Sequence, residues 1–198
     1  LKEVQKNHIP PHVRIKRVMR DIPSTEVDAG PQLTNMRQMA LQELRDEGER
    51  CSCIRCREVG HVKRTHDLEP KVENIELVER DYEASGGHEY FQSFEDTEAD
   101  IILGFTRLRA PSESFREEID DDTVIVRQLK VMGSATDIGS EWDVQHKGYG
   151  TRLMESAEEK ARELGRNKVV VISAVGTREY YRKFGYEKEG PYMVKYLD

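Results

Sequence analysis

Residues 145–150 read Gln-His-Lys-Gly-Tyr-Gly, a Q-x-x-G-x-G pattern at the start of a predicted amphipathic helix. Apolar residues recur at helical spacing through Arg152–Leu164, so the glycines precede a helix N-terminus. Such a terminus presents backbone N–H groups and the positive end of the helix dipole, and Gly148 and Gly150 carry no Cβ that would keep an anion away. The pattern predicts a phosphate-binding turn, although a glycine-rich helix start without a ligand has the same short signature.

The elements predicted around this turn alternate between strand and helix. Thr123–Met132 alternates β-branched and polar residues as a strand does, and Lys168–Ala174 is a short apolar run typical of a buried strand. A second helix is predicted at Gly176–Phe184, where the chain enters a Y-x-x-x-G-Y element at Tyr181–Tyr186. This order predicts an α/β fold.

The order of strand, Q-x-x-G-x-G helix, buried strand and short helix resembles the GCN5-related N-acetyltransferase (GNAT) fold, a mixed central sheet flanked by helices that binds acyl-coenzyme A. Further segments narrow the resemblance to the catalytic subunit of Elongator, the family of tRNA wobble-uridine acetyltransferases. These segments follow the family's order over nearly the whole chain: RDIPSTEVDAG (20–30), REVG (57–60), RDYEASGG (80–87), VGTREYYRKFGY (175–186) and GPYMVKY (190–196).

The resemblance implies how the chain divides. Residues 1–50 would be the C-terminal tail of a radical S-adenosylmethionine barrel with one helix, 51–71 a cysteine-rich linker, and 72–198 the acetyltransferase domain. The barrel's Cys-x-x-x-Cys-x-x-Cys motif does not occur in the sequence, which begins at Leu1. We therefore expect a fragment, with S-adenosylmethionine and a [4Fe–4S] cluster belonging to an upstream domain.

Two elements are predicted within the first 50 residues. Alternation predicts a strand at Val13–Met19, and apolar spacing predicts a helix at Asn35–Gly48. The apolar residues expected on one side of this helix are Leu33, Met36, Met39, Ala40 and Leu44. One strand and one helix cannot close a core of their own.

The resemblance also implies an acetyl-CoA site. The strand end whose backbone would pair with the pantetheine arm comprises Gln128, Leu129, Lys130 and Val131. The residues expected to hold the pyrophosphate are Gln145, Gly148, Tyr149, Gly150, Thr151 and Arg152. Tyr181 would protonate the departing thiolate or, alternatively, pack in the core, while Tyr180 would point elsewhere. No general base stands out among Glu89, Glu95, Asp96 and Glu141.

All three cysteines of the chain fall within six residues, in the pattern C-x-C-x-x-C. In a cytoplasmic protein this spacing favours one metal ion held from a turn over a set of disulfides. We predict a structural zinc site with ligands Cys51, Cys53 and Cys56. The candidates for a fourth ligand are His61, His66 and His88, with His61 and His88 preferred. An iron–sulfur cluster and three reduced thiols without a metal remain the alternatives.

The net charge is −7, but basic residues cluster in two stretches. Residues 1–20 contain six Lys or Arg against one acid, and residues 50–66 contain five against one, while acidic residues gather around 95–122. Basic clusters of this kind can contact phosphates, and an ordinary solvated face has the same composition. Taken with the resemblance, they predict tRNA binding through Arg14, Lys16, Arg17 and Arg20.

The resemblance implies that acetyl-CoA is used to carboxymethylate the wobble uridine of tRNA, with this chain supplying the acetyl-CoA-binding part. Two other functions stay open: a histone-type protein lysine acetyltransferase, whose basic peptide would meet the acidic stretch 95–122, and a non-catalytic tRNA-binding scaffold. The expected partners are tRNA and either other Elongator subunits or a second copy of the chain. No apolar run reaches membrane-spanning length and the first ten residues are polar, so we expect a cytoplasmic protein without a membrane partner.

Overall fold

The computed structural model describes residues 1–18, 23–30, 33, 35–133 and 148–198. The chain separates into two compact units, Leu1–Glu69 and Pro70–Asp198. Within the described ranges, no helix combines the length and the apolar character needed to cross a membrane.

The first unit is helical where the structure describes it. Its elements are α1 (Lys2–Asn7), a 3-10 turn (Ser24–Glu26), α2 (Met36–Asp46), α3 (Ile54–Arg57) and α4 (Val59–His66). Helix α2 confirms the helix predicted from apolar spacing, and it buries Ala40 and Leu44. Leu33 and Met39, expected on the same apolar side, are exposed. The buried cluster here is small and is built from Leu44 and the three cysteines, so it covers a narrower stripe of the helix than the pattern predicts.

The strand predicted for Val13–Met19 is wrong, because the part of it that the structure describes forms no regular element. A strand is stabilised by pairing with a neighbouring strand, and the described residues of this unit form no sheet. Single hydrogen bonds hold the segment instead. The Ile54 N–H donates to the Val13 carbonyl (2.9 Å), and the Arg37 guanidinium donates to the Ile15 carbonyl (2.9 Å).

The second unit is built on a seven-stranded sheet. Its elements in chain order are a 3-10 turn (Val72–Asn74), β1 (Ile75–Ala84), β2 (Gly87–Asp96), β3 (Ile101–Ala110), β4 (Thr123–Val131), α5 (Tyr149–Glu163), β5 (Lys168–Val171), a 3-10 turn (Val175–Thr177), α6 (Arg178–Arg182), β6 (Glu187–Glu189) and β7 (Tyr192–Tyr196). The strand order is β1-β2-β3-β4-β5-β7-β6, with β4 parallel to β5 and the other neighbours antiparallel. The mixed sheet confirms the predicted α/β fold.

Helix α5 packs along one face of the sheet. Its residues Met154, Ala157 and Ala161 are fully buried in the main core cluster. Gly104 in β3 permits the close approach, because a Cβ at this position would lie 3.3 Å from the Leu153 side chain. The helix predicted after the Q-x-x-G-x-G motif is therefore confirmed, and its apolar stripe anchors the motif to the sheet.

Strand β4 contains a β-bulge near its middle. Arg107 of β3 pairs with Gln128, whereas the next residue, Leu108, pairs with Val126. Arg127 is thus an extra residue on β4, and such an insertion bends the strand that carries it. The bend occurs where β4 and β5 separate.

Candidate functional site

The separation of β4 from β5 creates a cleft in the sheet. Their parallel pairing joins Thr123–Val126 to Lys168–Val171, and a further hydrogen bond runs from the Ile172 N–H to the Val126 carbonyl (3.2 Å). The pairing with β5 does not extend to Gln128–Val131, which remain paired with β3. An edge of this kind can receive an extended ligand as if it were an added strand.

Helix α5 begins at the end of this cleft. Gly148 is its N-cap, and a Cβ built there would meet no described atom within 4 Å. A Cβ built on Gly150 would lie 3.5 Å from the Val131 side chain, which places the first turn of α5 beside the last residue of β4. The first N–H groups of a helix have no acceptor within the helix and can bind an anion.

The other residues of the motif present different groups. Tyr149 packs its ring against Phe94 in a buried cluster, with ring centroids 4.9 Å apart, so its side chain is occupied by packing. Arg152 is exposed, and its guanidinium carbon lies 4.2 Å from the centre of the Phe94 ring. Thr151 is half-buried in the first turn. Gln145 lies outside the described residues.

The two adjacent tyrosines of α6 occupy different surroundings. The Tyr180 hydroxyl lies against Gly150, where a Cβ would collide with it. Burial raises the pKa of this phenol, so it is protonated at neutral pH. Tyr181 is 7% exposed and belongs to the main core cluster, beside Tyr186. The two side chains therefore lie in different surroundings, and the hydroxyl that lies against the glycine-rich turn is that of Tyr180, whose ring also packs against the core cluster.

The carboxylates considered as general bases are engaged where they are described. Glu95 accepts two hydrogen bonds from the Arg80 guanidinium (2.7 and 3.0 Å). Asp96 accepts hydrogen bonds from the backbone N–H groups of Lys71, Glu98 and Ala99. Glu89 is 1% exposed and bound by two arginines. Glu141 lies outside the described residues.

The three cysteines converge in the first unit. Their sulfur atoms all lie within 4.8 Å of one another, and each residue is buried. A zinc ion with Zn–S bonds of about 2.3 Å separates tetrahedral sulfurs by roughly 3.8 Å, so this cluster fits zinc. Hydrogen bonds from the Cys51 and Cys56 thiols lower the pKa of Cys53. The guanidinium of Arg37 approaches the sulfurs of Cys53 (3.5 Å) and Cys56 (3.8 Å).

Two histidines share a pocket with these cysteines. His61 and His66 line it together with two of the three thiols. Burial lowers the pKa of both imidazoles, which favours the neutral form that ligates zinc. His88 lies in the second unit, with its Nε2 atom 3.1 Å from the Asp81 carboxylate. Among the described residues, the side chains close enough together to hold one ion are the three cysteines, and no histidine lies close enough to join them.

Comparison with known proteins decides the family. The acetyltransferase (GNAT) domain family matches residues 141–195. The chain is 46% identical over 199 residues to the tRNA uridine(34) acetyltransferase of Methanocaldococcus jannaschii, covering 98% of this chain and 36% of that protein. It is 48% identical over 193 residues to Elongator complex protein 3 of Homo sapiens, covering 96% and 35%. The chain belongs to the Elongator catalytic-subunit family.

A solved structure of an Elongator-family protein agrees with this assignment. The archaeal Methanocaldococcus infernus Elp3 with an N-terminal deletion matches with a TM-score of 0.86 at 47% identity, over 97% of this chain and 46% of that chain. The resemblance seen in the sequence segments is confirmed. The chain spans about a third of the length of the curated relatives it matches.

The basic residues predicted to bind tRNA are not equally available in this Elongator-family chain. Lys16 and Arg17 are exposed. Arg14 instead forms an ion pair with Glu58 at 3.0 Å, and 30% of its side chain is exposed. Arg20 lies outside the described residues.

Two features of this Elongator-family site have no clear marker in the sequence. Neighbouring residues on a helix lie about 100° apart, so Tyr180 and Tyr181 must face different surroundings, but the pattern does not say which one faces Gly150. The bulge at Arg127 depends on register with β3, which a single strand does not encode.

Proposed function

We propose that this chain supplies the acetyl-CoA-binding part of an enzyme that modifies the wobble uridine of tRNA, with acetyl-CoA as the two-carbon donor in a carboxymethylation. The observation that carries the proposal is the cleft where β4 leaves β5 in front of the glycine-rich start of α5. A strand edge suits the amides of pantetheine, and a helix N-terminus suits a pyrophosphate. The similarity to a tRNA uridine(34) acetyltransferase supports tRNA as the acceptor.

In this proposal the cleft and the helix turn hold opposite ends of the donor. The strand residues that pair with pantetheine are Gln128, Leu129, Lys130 and Val131. Backbone N–H groups of Gly148, Gly150 and Thr151 bind the pyrophosphate, assisted by the positive charge of Arg152 and by Gln145. Tyr149 anchors the turn through its buried ring. N–H groups at the strand end can also polarise the thioester carbonyl.

We propose that Tyr180 is the acid that protonates the departing thiolate. Tyr181, the candidate from the sequence, would then hold the Tyr180 ring in position. The Tyr180 hydroxyl lies against Gly150 in the first turn of α5, and this turn lies beside the end of β4, where the two parts of the donor site meet. Tyr181 packs edge-on against Tyr180, with ring centroids 5.4 Å apart, and can fix its orientation. When water attacks the thioester carbonyl and the carbon–sulfur bond breaks, the phenol gives its proton to the sulfur, so the thiol leaves uncharged and the acyl group is released as a carboxylic acid.

The protein lysine acetyltransferase alternative depends on the acidic stretch 95–122. Six of its ten acidic residues lie in the loop at 111–122, which precedes β4, whereas the cleft begins about halfway along that strand, where β4 leaves β5. Gln128, the first residue of β4 beside the cleft, comes five residues after Thr123, which is about 16 Å along the strand at roughly 3.3 Å per residue. The acidic loop at 111–122 therefore lies apart from the second half of β4, whereas the acidic turn between β2 and β3 lies at the same end of the sheet as the end of β4. The similarity to a tRNA uridine(34) acetyltransferase is what favours tRNA over a basic peptide.

The cysteine cluster is proposed to hold a structural zinc ion. Its ligands would be Cys51, Cys53 and Cys56 with one histidine, and the shared pocket favours His61 or His66 over His88. Zinc closed by four protein ligands contributes folding energy and leaves no position for a substrate.

The division of labour in the whole protein is proposed from the family resemblance. Residues 1–50 would be the tail of an upstream radical S-adenosylmethionine barrel, 51–71 the zinc linker and 72–198 the acetyltransferase domain. S-adenosylmethionine and the [4Fe–4S] cluster would belong to the barrel, so this chain alone should bind acetyl-CoA without carboxymethylating tRNA. Cytoplasmic tRNA is the proposed partner, together with other Elongator subunits or a second copy of the chain.

The proposal is tested by titrating acetyl-CoA into the wild-type chain and into a Gly148→Val variant by calorimetry. Because a Cβ at Gly148 meets no described atom within 4 Å, the added side chain should leave the fold intact and obstruct only a ligand at the helix N-terminus. We expect saturable binding by the wild type and binding weakened on the order of tenfold or more in the variant. Thermal unfolding of both proteins controls for a change in folding. Absence of binding by the folded wild type would leave only the non-catalytic scaffold.

A further inference from the structure

The sheet face opposite α5 presents two exposed polar side chains in the middle of β4. Arg127 is the bulged residue and Gln128 follows it, and a bulge turns two consecutive residues toward the same side of a sheet. The side chain of Arg127 is 48% exposed, and Gln128 is also exposed. Both residues lie where β4 separates from β5, beside the proposed donor cleft.

The charges of this face are predominantly positive. Strand register places five cationic side chains on it: Arg80, Arg107, Arg109, Arg127 and Lys130. In the described part of β1–β4, the carboxylates on the same face are Glu76, Glu89 and Glu95, and the last two are buried and bound to arginines. The acids Glu79, Asp81 and Glu83 of β1 alternate onto the other face.

Buried partners hold these cations in place. One oxygen of Glu89 accepts hydrogen bonds from Arg109 (2.9 Å) and from Arg127. The second oxygen of Glu89 is buried without a hydrogen-bond partner. The guanidinium of Arg107 lies over the Phe91 ring at 5.0 Å and donates to the Gln128 side chain (3.2 Å). Glu89 therefore orients the Arg127 side chain and Arg107 orients that of Gln128, while both side chains remain exposed to solvent.

We propose that this face receives the RNA acceptor, with Arg127 binding a phosphate of the nucleotide brought to the thioester and Gln128 adding a hydrogen bond. The inference rests on the proposed function and names the substrate contact within it. A guanidinium has five N–H donors and one nitrogen of Arg127 is engaged with Glu89, so donors remain for a phosphate. The same positive charges repel a lysine ammonium group, so this acceptor side selects a polyanion over a basic peptide.

The test measures binding of an anticodon stem-loop RNA carrying a wobble uridine, by fluorescence anisotropy over a range of salt concentrations. The proteins are the wild-type chain, Arg127→Ala, Arg127→Lys and the charge-matched control Lys188→Ala, whose side chain is exposed on the edge strand β6. We expect Arg127→Ala to weaken binding and to reduce the salt slope by about 0.7, the contribution of one single-strand phosphate contact. Arg127→Lys should keep the slope, and Lys188→Ala should resemble the wild type.

Acetyl-CoA affinity measured on the same proteins separates the two proposals. Equal acetyl-CoA binding by all four, with the slope reduced only in Arg127→Ala, supports the acceptor face. An unchanged slope in Arg127→Ala, an equal reduction in Lys188→Ala, or no RNA binding by the wild type overturns it even if acetyl-CoA binds. A wild-type chain that does not bind acetyl-CoA overturns the proposed function, whatever the RNA result.

Discussion

Tyr180 and Tyr181 are adjacent in the chain, and packing gives them different environments. The Tyr180 hydroxyl is at the glycine-rich turn, whereas the Tyr181 ring is enclosed in the main core cluster. A residue whose hydroxyl meets the reacting sulfur should affect the rate, while a core ring should affect stability. Substituting each tyrosine by phenylalanine separates these roles, because only the hydroxyl is removed.

Tyr180→Phe should leave acetyl-CoA affinity little changed and slow thioester cleavage on the order of 100-fold, the lower range for loss of a general acid. Tyr181→Phe should cleave at nearly the wild-type rate. Release of free thiol, followed with a chromogenic reagent, measures both. If Tyr181→Phe is the slow variant and Tyr180→Phe is not, the acid is Tyr181 as the family motif implies.

At the scale of elements, Arg37 connects α2 to the turn that carries the cysteines. Its guanidinium donates to the Ile15 carbonyl and approaches two sulfur atoms, so one side chain links three segments of the first unit. Three thiolates around a divalent ion leave a net negative charge, which a neighbouring cation stabilises. Groups that contact metal ligands in this way tune the affinity for the ion.

Arg37→Ala should lower zinc affinity on the order of 10- to 100-fold, as is typical when an outer-shell partner is removed. Arg37→Lys should fall between the alanine variant and the wild type, because it keeps the charge but lacks the planar fork. Competition with a chromophoric chelator measures the affinity. Lys2→Ala, which removes an exposed charge of the same unit, is the control. Equal affinity in Arg37→Ala and the wild type would show that the guanidinium does not act on the metal.

Over the whole molecule, a net charge of −7 coexists with local positive surfaces. Some basic side chains near the N-terminus are neutralised by partners: Lys2 pairs with Glu47, Lys6 with Glu49, and Arg14 with Glu58. Lys16 and Arg17 are exposed and remain candidates for binding phosphates. Counting charges along the sequence therefore overstates the basic surface of the first unit.

Replacing Lys16 and Arg17 with alanine should flatten the salt dependence of tRNA binding by about one unit of slope for each phosphate that the variant no longer neutralises. Arg14→Ala should change the slope little, because Glu58 already neutralises that charge. Filter binding at several salt concentrations measures the slopes. An unchanged slope in the double variant would assign the segment to packing in the whole protein.

Much of the second unit could be predicted from local patterns. Strands β4 and β5 and helix α5 follow from hydrophobic periodicity, and the glycines at the start of α5 are visible in the sequence because each element carries its own pattern. The strand predicted at Val13–Met19 was wrong because it rested on a local pattern only. Alternation of residues does not supply the neighbouring strand with which a strand must pair. The close spacing of the three cysteines predicts their convergence, because a turn brings neighbouring side chains together.

The amino-acid sequence by itself determined the family, the α/β class and the candidate positions for an anion site and a metal site, because these depend on residue types at short separations. Tertiary structure alone decided which tyrosine faces the glycine turn, where β4 departs from β5, and that Arg127 and Gln128 share one exposed face. Those features depend on strand register and on packing between segments distant in the chain, and neither can be predicted from a local sequence pattern.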